Sequence, residues 1–202
     1  KKMKFEFRTE KLDASFWDEQ YRNNNSIWDL GIVSPPLKAY IDQLKDKNIS
    51  ILIPGAGNAY ELNYLLEKGF QNITIVDISK EIIAKLKTQT TIFNKVQLIE
   101  GDFFNLNGQY DLILEQTFFC AIHPDLRNEY VVKMNQLLKP KGKLVGLFFG
   151  ILFSFPGPPF GGEKAEYNEI FSPFFEIKTL SPCHNSIKPR MGTELFAILI
   201  KK

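Results

Sequence analysis

The sequence has little of what secreted and membrane-spanning proteins usually carry. Its only cysteines, Cys120 and Cys183, are too few to build a framework of disulfide bonds. Its first residues show no charged-then-apolar leader with a small-residue cleavage site. The longest apolar stretch, residues 144–155, is shorter than the roughly 20 residues that a membrane-crossing helix needs. We therefore expect a cytoplasmic protein that does not contact a membrane.

The sequence also has no block of charge of one sign. The formal net charge is +2, and the few lysine clusters lie at the two ends of the chain and in residues 139–143. Because nucleic-acid-binding domains usually present a clustered basic face, we expect a small-molecule substrate instead. Cys183 and His184 make one pair of metal ligands without the further ligands that a site requires, so we expect no metal. The length of 202 residues favours a single domain over residues 1–202, and we expect a monomer.

What the sequence does contain is an alternation of apolar runs and helical patterns. The runs are continuously apolar, as in strands covered on both faces, and occupy residues 50–54, 72–78, 96–100, 110–115 and 142–149. Helical patterns follow at residues 58–70, 79–89, 124–138 and 163–171. Two last strands, 174–180 and 193–200, are joined without a long helix and should be antiparallel. The pattern predicts an α/β, Rossmann-like, doubly wound and mostly parallel seven-stranded sheet with an antiparallel C-terminal hairpin.

A glycine turn follows the first predicted strand in the stretch ILIPGAGNAYE. Gly55 and Gly57 stand between a strand and a helix, where glycine lets the backbone approach a ligand closely. A dinucleotide fingerprint would place a third glycine at position 60, which is Tyr60 here, and no Gly-Lys-Ser/Thr follows for a P-loop. The turn is therefore predicted to hold a nucleoside without a pyrophosphate.

Acidic residues end the next two predicted strands. Asp77 comes about twenty residues after Gly57, where a carboxylate can accept from both hydroxyls of a ribose. Asp102 ends the third strand, where it could accept from an adenine amino group, and the ring of Phe103 could lie against the base. Alternatively, Asp77 could cap the next helix and Phe103 could belong to the core. Read together, the strand ends favour an adenosine ligand, and S-adenosylmethionine fits.

Aromatic residues are concentrated in the N-terminal segment, residues 1–33, which we interpret as a cover over the carboxyl edge of the sheet. Trp17 and Tyr21 are one helical turn apart and so share a face, and Trp28 follows. A sulfonium cation is attracted to aromatic faces. These three side chains are therefore predicted to surround the cofactor, although a helix that packs its aromatic face on the sheet would show the same pattern.

At this point the sequence resembles a known family. The segments SFWDEQYRNNNSIWDLG, LIPGAGNAYE, VDIS, GDFF, YDLILEQTFFCAIHPDLR and PGPPFGG are similar to the thiopurine S-methyltransferase superfamily, in particular its thiol and halide methyltransferase branch. The resemblance implies a class I methyltransferase fold, S-adenosylmethionine as cofactor and S-adenosylhomocysteine as product. It places at the cofactor the residues Trp17, Tyr21, Trp28, Gly55, Asp77, Asp102, Phe103 and Gln116. Plant-type members usually have Tyr, and thiopurine enzymes Arg, at the position of Gln116, which leaves the acceptor open.

Methyl transfer from a sulfonium is an in-line displacement that depends on positioning and on the exclusion of water. The predicted walls of the substrate pocket are Phe118, Phe119 and Phe160. No residue stands out as an obligatory base, and the two candidates are His123 and Tyr167. Cys120 is expected in the core rather than as a nucleophile.

The leading hypothesis is a methyltransferase that acts on a small soft nucleophile, with a thiol first and halide, selenium, tellurium or thiopurine species next. One alternative is a noncatalytic protein that binds S-adenosylmethionine. Another is a nicotinamide-dependent oxidoreductase, against which Tyr60 and the antiparallel hairpin argue. A nucleic-acid methyltransferase is disfavoured because residues 115–118 read EQTF in place of Asn/Asp-Pro-Pro-Tyr/Phe.

Overall fold

The computed structural model describes residues 12–26, 28–89 and 96–202. The first eleven residues of the predicted cover, and Ile27 within it, lie outside the described residues. The helices of the described chain are α1 (Ala14–Arg22), α2 (Pro35–Asp42), α3 (Tyr60–Glu67), α4 (Lys80–Gln89), α5 (Arg127–Leu137) and α6 (Lys164–Phe171). The strands are β1 (Ile51–Pro54), β2 (Ile73–Asp77), β3 (Val96–Glu100), β4 (Tyr110–Gln116), β5 (Leu138–Phe149), β6 (Phe175–Pro182) and β7 (Glu194–Lys201).

All of these strands belong to one sheet in the order β3-β2-β1-β4-β5-β7-β6. The pairs from β3 to β5 are parallel, whereas β7 runs antiparallel to both β5 and β6. The chain moves outward from β1 to β3 and then returns to place β4 on the other side of β1. Ligands of open α/β sheets bind at such a reversal, beyond the carboxyl ends of the strands. The predicted fold class is confirmed.

The core lies on both faces of this sheet because side chains alternate along each strand. On one face, Ile51 and Ile53 of β1 pack with apolar residues of α2, α3 and α4. On the other face, Leu52 packs in the cluster that contains residues of α5 and α6. Both faces are thereby covered, which explains why the strands read as continuous apolar runs.

Two helices differ from their predicted bounds. The backbone of Ala59 is left-handed, with φ of +50°, so α3 begins at Tyr60 instead of residue 58. It ends at Glu67 because Gly69, with φ of +88°, turns the chain. The predicted helix 124–138 is a short 3₁₀ turn at Pro124–Leu126 followed by α5. Helix ends depend on single backbone angles, which periodicity does not report.

The N-terminal segment begins with α1, whose cap is local. The Asp13 side chain accepts from the N–H groups of Ser15 and Phe16 at 3.0 and 3.2 Å. The segment is tied to the far end of the chain by Arg190, whose Nη2 donates to the Trp28 carbonyl at 2.7 Å. Among the described residues, no helix is long and apolar enough to cross a membrane.

Candidate active site

A cavity of about 670 Å³ lies at the topological reversal of the sheet, a volume within the usual range for small-molecule sites. Its floor comes from the carboxyl ends of four strands, which contribute Gly55, Asp77, Asp102 and Thr117. One wall is α1, and Pro158 and Pro159 of the loop after β5 close another side. A smaller cavity of about 50 Å³ adjoins it and shares Trp28, Gly55 and Thr117 as lining residues.

The glycine turn at the floor has a backbone that only glycine adopts easily. Gly55 and Gly57 have φ of +56° and +51°. The ring of Phe118 lies directly over Gly55, since a Cβ there would come within 2.2 Å of it. A Cβ on Gly57 would approach the Tyr21 hydroxyl to 3.2 Å. Both glycines are therefore required by conformation and by the rings above them.

We expect Gly55→Ala to lower the free energy of unfolding by about 2–4 kcal/mol, from a left-handed backbone and an overpacked ring. Gly69→Ala is the matched control, since Gly69 also has positive φ but has open space where its Cβ would be. Denaturant unfolding of both variants measures the difference. The extra destabilisation of Gly55→Ala over Gly69→Ala should shrink when Phe118→Leu is combined with Gly55→Ala. Equal losses of stability in Gly55→Ala and Gly69→Ala would contradict close packing of the Phe118 ring on Gly55.

Asp77 is the buried carboxylate at the end of β2. Its Oδ2 accepts from the Gly57 N–H at 3.2 Å and its Oδ1 from the Ser79 N–H at 2.9 Å. Burial raises the pKa of Asp77 to about 6, and the charge of Asp18 adds to the rise. Because a carboxylate offers about four acceptor positions, these two bonds leave capacity for two hydroxyl donors. Asp77 also forms part of the cavity lining.

Asp102 and Phe103 lie side by side after β3, and both line the cavity. The Asp102 carboxylate is exposed and accepts from the Phe104 N–H at 2.9 Å. The Phe103 ring is buried, 5.1 Å from the Phe118 ring and 5.9 Å from the Tyr130 ring. Phe103 therefore belongs to the core and to the cavity wall at once.

The three predicted aromatics of the N-terminal segment form one cluster in the cavity wall. The Trp28 ring lies edge-on to Trp17, at 5.6 Å, and to Tyr21, at 5.8 Å. Such T-shaped pairs place ring edges against ring faces. Burial raises the pKa of Tyr21, and the negative charge of Asp77 acts in the same direction. The phenol is therefore neutral at pH 7.

Gln116 does not line the large cavity and instead lines the small one. With its amide nitrogen toward Ser34 and Glu61, it donates to the Ser34 hydroxyl and to Glu61 Oε1 and accepts from Arg190 Nη1, each at 3.2 Å. Arg190 in turn pairs with Glu194 at 3.3 Å. The side chain of Gln116 is thus held in a buried polar network at the edge of the small cavity.

The remaining predicted residues divide between cavity and core. Phe118, His123 and Cys120 line the large cavity. Phe119 does not: its ring is 1% exposed and packs on Tyr167, at 5.3 Å, within the core. Tyr167 is fully buried, and its hydroxyl donates to the Phe149 carbonyl at 2.7 Å. We correct both predicted roles, because neither side chain reaches the cavity.

Phe160 also lies behind the wall rather than in it. Its ring is buried 5.4 Å from the His123 ring, while its neighbours Pro158 and Pro159 line the cavity. Cys120 is buried, and its thiol has a pKa well above the ordinary value because of burial. The thiol is therefore held in its neutral form, which is the less nucleophilic one.

Sequence reasoning missed the residue that shapes the turn after β4. Thr117 is a β-branched residue with φ of +61°, which is strained. The fully buried Glu115 holds this turn, because its Oε1 accepts from the N–H groups of Phe118 and Phe119 at 2.7 and 2.9 Å. The available signal was a carboxylate, Glu115, directly after the apolar run of residues 112–114.

The charge of the lining suits a cation. Among its described residues the large cavity contains no lysine or arginine. Its carboxylates are Asp13, Asp77 and Asp102, and its aromatic residues are Phe16, Trp17, Tyr21, Trp28, Phe103, Phe104 and Phe118. A sulfonium attached to an adenosine would meet both attractive groups here. No cluster of three or more His, Cys, Asp or Glu residues that could hold a metal occurs in the described part of the chain.

The chain is similar in sequence and in fold to known methyltransferases. The chain is 29% identical over 184 residues to probable thiol methyltransferase 2 of Arabidopsis thaliana, covering 88% of this chain and 81% of that protein. It is 26% identical to the thiopurine S-methyltransferase of Vibrio parahaemolyticus, covering 79% and 82%. Among solved structures, the 1,6-didemethyltoxoflavin-N1-methyltransferase of Burkholderia thailandensis, with bound S-adenosylhomocysteine, has a TM-score of 0.73 at 20% identity, covering 94% and 87%.

The sequence model of the thiopurine S-methyltransferase family matches residues 12–197, which is nearly all of the chain. This match and the curated relatives confirm the resemblance seen in the sequence. They also confirm the predicted enzyme class and cofactor. The chain belongs to the thiopurine S-methyltransferase family and is an S-adenosylmethionine-dependent methyltransferase.

Proposed function

We propose that this enzyme transfers the methyl group of S-adenosylmethionine to a small, uncharged organic thiol. The observation that carries the proposal is the composition of the cavity lining: carboxylates, aromatic rings and apolar side chains, with no lysine or arginine among the described residues. Relatives named for thiols, thiocyanate and thiopurines support a sulfur acceptor. The proposal keeps the thiol predicted from the sequence and adds that the thiol carries no other charged group.

The residues that would hold the cofactor are those of the sheet edge. In this proposal Asp77 accepts from the ribose hydroxyls with its spare acceptor positions, and Asp102 accepts from the adenine amino group. Phe103 supplies an apolar surface to the base. The backbone of Gly55 and the small cavity beside Gln116 receive the amino-acid end, where backbone carbonyls and Glu61 suit an ammonium.

When bound, S-adenosylmethionine supplies an electrophilic methyl group on a sulfonium. The role of the protein is to align the acceptor and to exclude water. Good alignment of this kind can lower the activation free energy by about 7–11 kcal/mol. Trp17, Trp28 and Phe118 carry out both tasks in this proposal, since their rings line the cavity and attract a cation. Removal of water also makes a sulfur nucleophile more reactive.

The acceptor end of the cavity is apolar. It is lined by Ile122, Leu126, Pro158 and Pro159, with His123 beside them. Because no lysine or arginine lines the described cavity, an acceptor with a permanent negative charge would find no cationic side chain there. His123 Nδ1 accepts from the Asp125 N–H at 3.3 Å and lies 3.4 Å from the Asp125 carboxylate. We propose that the thiol releases its proton to water, and that the resulting thiolate sulfur attacks the methyl carbon as the bond from that carbon to the sulfonium breaks. In this proposal His123 orients the sulfur as a hydrogen-bond donor and does not act as a base.

The test is methyl transfer from labelled S-adenosylmethionine to a panel of acceptors. We expect apolar alkyl and aryl thiols to react at least ten times faster, in kcat/KM, than iodide, thiocyanate or a carboxylate-bearing thiol. Faster transfer to the anions would contradict the acceptor class. Tight binding of S-adenosylhomocysteine without turnover on any acceptor would instead favour the noncatalytic alternative.

We further propose that residues 1–202 act as one monomeric domain in the cytoplasm, without nucleic acid or membrane partners. Both cysteines are free and buried, which suits a reducing compartment. Light scattering behind a sizing column would test the monomer.

A further inference from the structure

Asp18 is a buried carboxylate on the cover helix α1, and none of the roles above uses it. Its side chain is 5% exposed although Glu19, the next residue, is exposed. Asp18 Oδ1 accepts from the Ser79 hydroxyl at 2.6 Å and from the Glu81 N–H at 3.4 Å. It therefore caps the start of α4 from a different element, 61 residues away in the chain.

Ser79 connects this cap to the cofactor carboxylate. It is fully buried, and while its hydroxyl donates to Asp18, its backbone N–H donates to Asp77 Oδ1 at 2.9 Å. The Ser79 hydroxyl oxygen also lies 3.4 Å from the Ile82 N–H, as a helix cap. One residue thus joins two buried carboxylates, one on the cover and one at the cavity floor.

We propose that Asp18 is a positioning residue that couples the docking of α1 to the binding of the cofactor at Asp77. The inference rests on the proposed role of Asp77. Docked α1 covers Asp77 and brings a second carboxylate near it. Docking thus costs free energy in two ways, by desolvating the Asp77 carboxylate and by charge repulsion from Asp18. Ribose hydroxyls that donate to Asp77 offset both costs, so ligand binding favours docking and docking favours ligand binding.

The charges around Asp77 agree with this coupling. Burial raises its pKa to about 6, and Asp18 adds to the rise. The titratable groups of α1 that interact with it are Asp18 and Tyr21. Glu100 of β3 is its partner in the sheet register, and Asp102 lines the same cavity. Lys80 and Glu81 begin α4. The negative charge of Asp18 contributes to the raised pKa of Asp77.

The experiment is titration with S-adenosylhomocysteine between pH 5 and pH 8 for wild type, Asp18→Asn and Glu19→Gln. Because only ionised Asp77 accepts from both hydroxyls, wild-type affinity should be constant above pH 7 and fall below about pH 6, by up to tenfold per unit. Asp18→Asn should bind about tenfold more weakly at pH 8. Its fall should begin at lower pH, since a neighbouring negative charge is gone. Glu19→Gln removes the same charge from the exposed face and should match wild type.

A second readout is tryptic cleavage after Arg22, the last residue of α1. S-adenosylhomocysteine should slow this cleavage in wild type and much less in Asp18→Asn. Ser79→Ala removes the hydroxyl bridge without altering either carboxylate and should reproduce the loss, which keeps the test valid if Asp18→Asn folds poorly. The coupling would be overturned if Asp18→Asn and Ser79→Ala both kept the wild-type pH profile of binding and were both protected from tryptic cleavage by S-adenosylhomocysteine as wild type is. Absence of any binding to wild type would instead overturn the proposed function.

Discussion

Replacing Asp77 by alanine is expected to weaken the binding of S-adenosylhomocysteine by one to two orders of magnitude. A hydrogen bond to a charged group contributes about 1.5–3 kcal/mol, which corresponds to roughly 10- to 150-fold in affinity. Asp77 has two acceptor positions available for a ribose, and its other two hold Gly57 and Ser79 in place. The loss should therefore combine missing ligand contacts with a looser glycine turn.

Calorimetric titration at pH 8 measures this effect, because the pKa of Asp77, about 6, leaves the wild-type carboxylate ionised there. Glu100→Gln is the matched control. Glu100 pairs with Asp77 in the sheet register, ends β3 and is exposed, so its loss should leave the affinity unchanged. Equal affinities of wild type and Asp77→Ala for S-adenosylhomocysteine would contradict the proposed role of Asp77 in cofactor binding.

A large dependence of stability on pH is expected from Glu115. Its side chain is fully buried, and its Oε2 has no hydrogen-bond partner in the described part of the chain. Burial raises the pKa of Glu115 to about 8, so the group is mainly neutral at pH 7. In the unfolded chain its pKa returns to about 4.3. Between these values the folded state holds a proton that the unfolded state has lost.

The sign follows from this difference. Below about pH 4.3 Glu115 is protonated in both states, and its contribution to the free energy of unfolding is fully present. As the pH rises from about 4.3 toward 8, this contribution falls by about 1.4 kcal/mol per pH unit. Glu115→Gln cannot titrate and removes this dependence. Between pH 5 and pH 8 we therefore expect the unfolding free energy of wild type to fall by about 2–4 kcal/mol more than that of Glu115→Gln.

Urea unfolding of both proteins across this pH range is the measurement. Other raised carboxyls, Asp77 and Glu61, are common to both and cancel in the comparison. Glu176→Gln, at an exposed glutamate of β6, should run parallel to wild type. If Glu115→Gln also ran parallel to wild type, the neutral buried carboxyl would be disproved.

The sheet and part of its ligand edge could be predicted because they depend on local pattern. Continuous apolar runs follow from strands covered on both faces, and the glycine turn and Asp77 stand at fixed distances along the chain. Since parallel strands bring their carboxyl ends to one edge, Gly55, Asp77 and Asp102 had to meet once the fold class was set. The family resemblance rests on the same segments, and the comparisons confirm it.

The roles of adjacent side chains could not be predicted in this way. Phe118 and Phe119 are the same residue type, yet one lies over Gly55 and the other in the core. The backbone of Thr117 and its hold by Glu115 decide which ring faces the cavity. A turn of this kind depends on a buried acceptor contributed by the packed sheet, which no spacing rule describes.

By itself, the sequence determined the fold class, the family and the edge of the sheet that lines the cavity, because each depends on periodicity or on motifs that are contiguous in the chain. Only the tertiary structure decided which aromatic rings enclose the cavity. It also decided that Asp18 meets Ser79 across 61 residues. The physical reason is that burial and hydrogen bonding between distant segments are set by packing, which assigns the same residue type to a core, a wall or a link according to its neighbours.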